Sequence, residues 1–136
     1  MKEMREMERG IEGIVEKLKE QEKAMAAKKG YFDLFALFLR DDAPEKWDLL
    51  VAADWIEANK KASLDYIMGV LKKGLLKEEW MKLSRVVVIN ESNPALQGLR
   101  KAIGSARGIR IRNSNFFGLQ IKDAYVITLG GKRVQG

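Results

Sequence analysis

The residues with the clearest potential for chemistry are polar side chains that follow two apolar segments. Asp54 comes directly after WDLLVAA (47–53), and Asn90 and Glu91 come at the end of SRVVVIN (84–90). If both segments are parallel strands, these side chains share the edge of the sheet at which open α/β proteins bind ligands. The predicted pocket for a small ligand, or for Mg²⁺ and a phosphoryl group, is formed by Asp54, Trp55, Asn90 and Glu91.

Helix capping also accounts for part of this pattern. Asp54 and Glu57 have the spacing of a capping box, and Asn93 followed by Pro94 is typical of a helix start. Neither predicted strand is followed by a glycine-rich loop that would cradle a phosphate. Asp54 is therefore expected to begin a helix, whether or not it also contacts a ligand.

Residue types restrict the chemistry further. The chain has no histidine and no cysteine, which excludes Ser-His and thiolate nucleophiles and removes the usual zinc ligands. Asp41, Asp42 and Asp48 add carboxylates near Asp54 that would suit Mg²⁺, but strand geometry separates Asp48 from Asp54 by about 20 Å. We therefore predict no catalytic residue, metal or cofactor, and we favour a non-enzymatic interaction or regulatory domain.

Basic residues are concentrated in the last part of the chain. Residues 82–136 carry ten basic and two acidic residues, a net charge of +8, whereas residues 31–81 have a net charge of −3. Arg110 and Arg112 alternate with isoleucines and should share an exposed strand face near Phe116 and Phe117. This pattern favours nucleic-acid binding through phosphate contacts and base stacking, and a solvated basic face is the alternative. The predicted contact residues are Arg100, Lys101, Arg107, Arg110, Arg112 and Lys122.

Apolar segments and turn residues predict the elements that would position these side chains. YFDLFALFLR (31–40) and WDLLVAA form two strands joined by a turn, and SRVVVIN forms a third strand. The first strand is apolar on both faces apart from Asp33, which predicts a strand covered on both sides. Helices are predicted after Asp54 and after Asn93. GIRIR (108–112) is a short strand, NSN (113–115) is a turn, and residues 116–129 form one or two strands. The order predicts an α/β fold with a mixed sheet of about five strands, in which two strand-helix-strand crossovers build a parallel core.

Residues 1–30 are predicted to form a long helix in front of a single α/β domain at residues 31–136. The apolar residues of this helix recur at two positions of a heptad, which is typical of a helix that pairs with another helix. A helix packed on its own domain and a frayed segment are the alternatives. We predict a homo-oligomer, or docking on a protein partner, through Met4, Met7, Ile11, Ile14, Leu18 and Met25.

The beginning of the chain, MKEMREMERG, lacks the apolar segment of a signal peptide, and no apolar run approaches the length of a membrane span. These features predict a cytoplasmic protein that makes no contact with a membrane.

Two segments, YFDLFALFLRDDAPEKWDLLVAADW and LSRVVVINESNPAL, are similar to a group of small uncharacterised bacterial α/β proteins. In that group an FDLFALxLR strand, a KWDLLVxAxW strand and an LSRIVxIxxxxPAL strand-helix unit recur. The resemblance covers residues 31–103 and implies a bacterial cytoplasmic α/β domain of unknown function. It implies no activity and no site residues.

Overall fold

Helices and strands follow one another in the predicted order, except that the helix predicted after Asp54 is divided in two. The computed structural model describes residues 2–130, and the side chains of residues 11–130. The helices are α1 (Lys2–Lys29), α2 (Asp54–Ala58), α3 (Lys60–Gly74), α4 (Lys77–Trp80) and α5 (Pro94–Ile103), and the strands are β1 (Leu34–Arg40), β2 (Trp47–Ala52), β3 (Leu83–Val88), β4 (Ala106–Phe116) and β5 (Leu119–Leu129). The predicted α/β class with a long N-terminal helix is confirmed. None of the helices within residues 2–130 is long and apolar enough to span a membrane.

The five strands found within residues 2–130 form one mixed sheet in the order β3-β2-β1-β5-β4. β2 and β3 are parallel, and the other neighbouring strands are antiparallel. The predicted hairpin of β1 and β2 and the parallel crossover from β2 to β3 are confirmed. The second crossover builds no parallel pair among these strands. α5 carries the chain from β3, one outer strand of the sheet, to β4, the other outer strand, and β4 runs in the opposite direction to β3. The predicted parallel core is therefore limited to β2 and β3.

The last hairpin differs from its predicted form. The NSN segment does not turn the chain but continues β4, with Asn113 at a φ of 51°. The turn lies at Phe117 (φ 57°) and Gly118 (φ 72°). Two successive positive φ angles belong to a type I′ turn, whose twist matches that of the flanking strands. The prediction of a turn at NSN is wrong because asparagine and serine are common in turns but also tolerate an edge strand.

Both faces of the sheet are covered, which explains why β1 shows no alternation of apolar and polar residues. Phe35 and Leu37 pack with residues of α1 and α3, while Leu34, Ala36 and Phe38 pack with residues of α5. All five side chains are buried. A strand covered on both faces needs apolar residues at successive positions, so the predicted two-sided burial of this segment is confirmed.

α1 is a layer of this core. Ile14, Leu18 and Met25 have no exposed surface and pack with the sheet and α3. Glu22 of the same helix is also buried, and its carboxylate accepts a 3.0 Å hydrogen bond from the hydroxyl of Thr128 in β5. The helix therefore belongs to the same folded unit as the sheet, and the alternative of a helix packed on its own domain describes it.

The predicted helix-pairing seam is accordingly occupied within the chain over its described part. Ile11 is partly buried against the same core cluster as the buried residues of α1. Met4 and Met7 lie outside the residues whose side chains the structure describes. Self-association through the described seam would require α1 to leave the sheet.

Candidate functional site

Charged side chains from several segments lie at one edge of the sheet, the edge that is formed by the ends of the strands. β2, β3 and β5 end at this edge and β1 begins there, because Leu34 pairs with both Ala52 and Leu129, and Val51 pairs with Val88. β4 also begins there, since its first residue pairs with the last residue of β5. The charged residues at this edge include Asp33 before β1, Asp54 and Glu57 in α2, Glu91 after β3, Arg100 in α5 and Arg107 in β4.

Arg100 connects three of these segments. Its guanidinium lies 3.0 Å from the carboxylate of Glu91 and 3.8 Å from that of Asp33, and its Nε donates a 2.9 Å hydrogen bond to the carbonyl of Gly130. The side chains of Arg100, Asp33 and Glu91 are only 9%, 12% and 18% exposed. Buried charges need partners, and here the guanidinium of Arg100 is shared between two carboxyl groups. We call Asp33, Glu91 and Arg100 the Arg100 cluster.

Burial and the neighbouring carboxyl groups raise the proton affinity of Asp33. The pKa of its carboxyl is raised from 3.8 to about 7, chiefly by burial, then by a hydrogen bond with Glu91 and by the negative charges of Glu91 and Asp54. The positive charge of Arg100 opposes this shift. In a chain without histidine, Asp33 is thus a group that exchanges a proton near neutral pH. A strongly shifted carboxyl in a cleft is a candidate for a functional group.

A cavity of about 340 Å³ opens beside the Arg100 cluster. It lies over the end of β5, between the segment that precedes β1 and the beginning of β4, and its lining includes Asp33, Ser105, Arg107 and Gly130. Arg107 is exposed and makes no hydrogen bond or ion pair within the described residues. The volume is in the range of small-molecule sites. Asp33, whose carboxyl has a raised pKa, and Arg107, whose guanidinium has no partner within residues 11–130, therefore both line this cavity.

The beginning of α2 differs from the predicted capping box. Ala53 is the N-cap residue, and Asp54 is the first helical residue and is exposed. The carboxylate of Glu57 accepts a 2.6 Å hydrogen bond from the backbone N–H of Glu91, instead of capping its own helix. The predicted capping role of Asp54 is therefore wrong, and α2 uses Glu57 to hold the segment after β3. Asp54 and Glu91 do lie at the same edge of the sheet, where the negative charges of both raise the pKa of Asp33.

The two other residues of the predicted pocket have different surroundings. The indole Nε1 of Trp55 donates a 2.8 Å hydrogen bond to the carbonyl of Gly30, and its ring packs edge-to-face on Phe32 and Tyr66 at 5.3 Å and 6.2 Å. Gly30 has a φ of 123°, a conformation that favours glycine. Trp55 thus fixes the chain between α1 and β1, while Asn90 is exposed.

Sequence reasoning did not identify Asp33 as a site residue and gave Arg100 a different role. Asp33 is the charged residue at the beginning of the apolar segment YFDLFALFLR. An acid at the start of a strand buried on both faces is a signal that could have drawn attention to it, because charged residues are rarely buried without a partner. Arg100 was predicted to contact nucleic acid, but its side chain faces the Arg100 cluster and is nearly buried.

The basic residues of the predicted nucleic-acid-binding face differ in whether their side chains have partners within the protein. The guanidinium of Arg110 makes two hydrogen bonds to Asp123, at 3.1 Å and 2.7 Å, and covers the ring of Tyr125 at 4.6 Å from its centroid. Arg110 is therefore held by its neighbours on β5. The exposed cations of the predicted set that make no hydrogen bond or ion pair within residues 11–130 are Lys101, Arg107, Arg112 and Lys122.

The two phenylalanines next to this face belong to the core. Phe116 and Phe117 lie with their ring centroids 5.9 Å and 5.8 Å from that of Phe38, and both pack with the α5 side of the sheet. Their rings are therefore used within the fold. Stacking of bases on these rings, which the sequence pattern suggested, would require them to leave that packing.

The acids near β2 are paired with arginines. The buried carboxylate of Asp48 lies 3.0 Å from Arg40 and 3.3 Å from Arg85, and Asp42 pairs with Arg40 at 3.3 Å. Guanidinium groups thus take the place that a metal cation would occupy. Among the described residues, no three acidic side chains converge in a way that could hold a metal ion.

Comparisons of the chain with protein-family models, with curated proteins and with solved structures each found no match. The resemblance described for residues 31–103 therefore stays a prediction, and a function for the chain has to be inferred from the site itself.

Proposed function

We propose that the protein is a small-molecule-binding domain whose site is the cavity beside the Arg100 cluster. The observation that carries the proposal is the meeting of Asp33 and Arg107 in one cavity, with Asp33 held by Arg100 and Glu91. The cavity lies over the end of β5, and the parallel strands β2 and β3 end at the same edge of the sheet.

The energetic cost of this arrangement supports a binding role. A carboxyl that is 12% exposed and shares the guanidinium of Arg100 with a second carboxyl is expensive to keep in a fold. An apolar side chain at position 33 would extend the buried strand without that cost. Polar groups that lower stability are concentrated at functional sites, where they orient a ligand.

A ligand screen with two matched variants tests this proposal. Small organic acids, amines, amino acids and nucleotides would be added singly, and the unfolding midpoint measured. A ligand at about ten times its Kd raises the unfolding free energy by about 1.4 kcal/mol, which shifts Tm by several degrees. Arg107→Ala should abolish the shift, and Arg112→Ala, which removes an exposed cation of the same strand away from the cavity, should retain it.

The outcomes separate a site from general charge effects. Loss of the shift in Arg107→Ala but not in Arg112→Ala supports the cavity as the site. If no compound at millimolar concentration shifts the midpoint, or if both variants lose the shift equally, the proposed site is wrong.

A nucleic-acid-binding protein is the second candidate, favoured by the exposed cations that lack a carboxylate partner within residues 11–130. Arg112 and Lys122 belong to the β4–β5 hairpin, and Lys101 and Arg107 lie in α5 and at the beginning of β4. Unpaired cations release counterions from phosphates when they bind, so their affinity falls with salt. This observation supports a phosphate-contacting surface and no base recognition.

Fluorescence anisotropy with labelled single-stranded and duplex DNA and RNA tests the second candidate. Arg112→Ala/Lys122→Ala should reduce the slope of log K against log salt by about two, one for each lost phosphate contact. The matched control is Lys60→Ala/Lys61→Ala, which removes two exposed cations from the beginning of α3. Equal effects of the two double variants would mean that binding depends on the net charge of the protein and not on the positions of Arg112 and Lys122.

A further inference from the structure

The cavity beside the Arg100 cluster is charged oppositely on its two sides. Asp33 stands before β1 and Arg107 near the beginning of β4, and both strands are neighbours of β5, on opposite sides of it. Neighbouring strands lie about 4.8 Å apart, so the backbones of β1 and β4 are separated by about 10 Å. Resting on the proposed binding function, we infer that the ligand is a small zwitterion, with a cationic amine against Asp33 and an anionic group against Arg107.

The acidic side carries more negative than positive charge among the described residues. Glu91 and Asp54 add negative charge around Asp33, and Arg100 opposes them. Arg100 is bound more closely to Glu91, at 3.0 Å, than to Asp33, at 3.8 Å. An ammonium group is compact and carries three donors, so it suits the carboxyl of Asp33, which Arg100 approaches less closely than it approaches Glu91.

The basic side consists of Arg107. Arg107 lines the cavity and is exposed, and within residues 11–130 its guanidinium makes no ion pair or hydrogen bond. A guanidinium presents paired N–H donors that match a carboxylate or phosphate group. A ligand with a negative charge alone would meet Arg107 favourably but would be repelled by the carboxylates on the other side of the same cavity.

Binding of an amine should be linked to the release of a proton. Asp33 is surrounded by Glu91, Asp54 and Arg100, and its pKa of about 7 means that it is largely protonated at pH 6 and largely ionised at pH 8. An ammonium group favours the ionised carboxylate. If the zwitterion binds only that form, its affinity rises about tenfold from pH 6 to pH 8.

Isothermal titration calorimetry with matched probes tests the inference on the full-length protein. The zwitterions are γ-aminobutyrate and ε-aminocaproate, and the singly charged probes are butyrate, caproate, butylamine and hexylamine. At least one zwitterion should bind about tenfold or more tightly than its matched amine and its matched carboxylate. Titrations in buffers of different ionisation enthalpy measure the proton that is released.

Variants assign each end of the ligand. Arg107→Ala should reduce the affinity for the zwitterion to that for the matched amine. Asp33→Asn should reduce it to that for the matched carboxylate and should remove the dependence on pH. Arg112→Ala should leave all of these affinities unchanged, because its side chain lies outside the cavity lining.

The results distinguish the inference from the proposed function beneath it. A carboxylate that binds as tightly as its zwitterion, with an affinity that Arg107→Ala removes, overturns the inference and leaves the cavity as a binding site. The same holds if none of the six probes binds but a compound from the broader screen does so in a manner sensitive to Arg107→Ala. If neither the probes nor the screen give binding, both the inference and the proposed function are wrong.

Discussion

Replacing Asp33 with asparagine should change how the stability of the protein depends on pH. The native carboxyl holds its proton up to a pKa of about 7, whereas the unfolded chain releases it near 3.8. Between these values the native state binds more protons than the unfolded state, so the free energy of unfolding of the wild-type protein falls as the pH rises. Above pH 7 both states are ionised and this contribution is constant. The amide introduced by Asp33→Asn never ionises, but it can still donate a hydrogen bond to Glu91.

The size of the effect follows from the shift. One pKa unit corresponds to about 1.4 kcal/mol, so a shift from 3.8 to about 7 corresponds to about 4 kcal/mol between pH 4 and pH 8. The difference in unfolding free energy between Asp33→Asn and wild type should therefore increase by about 4 kcal/mol from pH 4 to pH 8, in favour of the variant.

Urea denaturation at several pH values between 4 and 8 measures this difference, because contributions from groups that do not interact with Asp33 cancel between the two proteins. Asp42→Asn is the matched control, since the Asp42 side chain is 70% exposed. Its difference from wild type should change little with pH. A difference between Asp33→Asn and wild type that stays constant from pH 4 to pH 8 would refute the assignment of a raised pKa to Asp33.

Three further substitutions test the packing. Leu18→Ala should lower the unfolding free energy by about 2–5 kcal/mol because the side chain is fully buried. Lys23→Ala, on the exposed side of α1, should change it by less than about 0.5 kcal/mol. Equal effects of the two substitutions in urea denaturation would mean that α1 does not pack on the sheet. Asn93→Ala should cost about 1 kcal/mol by removing the 2.9 Å cap hydrogen bond of α5, and an unchanged thermal midpoint would contradict that role. Arg110→Ala should destabilise the protein by about 1–3 kcal/mol through loss of its paired hydrogen bonds, while Arg112→Ala should be nearly neutral in calorimetry; the reverse order would contradict the division of the basic face.

Local signals in the sequence were sufficient for most of the elements. The apolar run of β1 predicted a strand covered on both faces, and α1 and α5 lie on the two faces that cover it. Asn93 followed by Pro94 predicted the beginning of α5, and the side chain of Asn93 caps it. These predictions succeed because capping and strand burial depend on residues that are close together in the chain.

The partner of an apolar seam could not be determined in the same way. Ile14, Leu18 and Met25 have the spacing of a helix-pairing seam, but the sheet and α3 occupy them. A pattern of apolar residues specifies which side of a helix is buried and not what buries it. The predicted parallel crossover to β4 was wrong for a similar reason, since the position and direction of a strand in a sheet are set by pairing with distant segments.

The sequence by itself determined the class of the fold, the edge of the sheet at which polar residues gather and the absence of histidine and cysteine from any site. Only the tertiary structure decided that Arg100 turns inward to Glu91 and Asp33, and that Asp33 and Arg107 share a cavity. Asp33 and Arg100 are separated by most of the domain in sequence. The pKa of Asp33 depends on burial and on charges brought together by three different segments, and no local pattern contains that information.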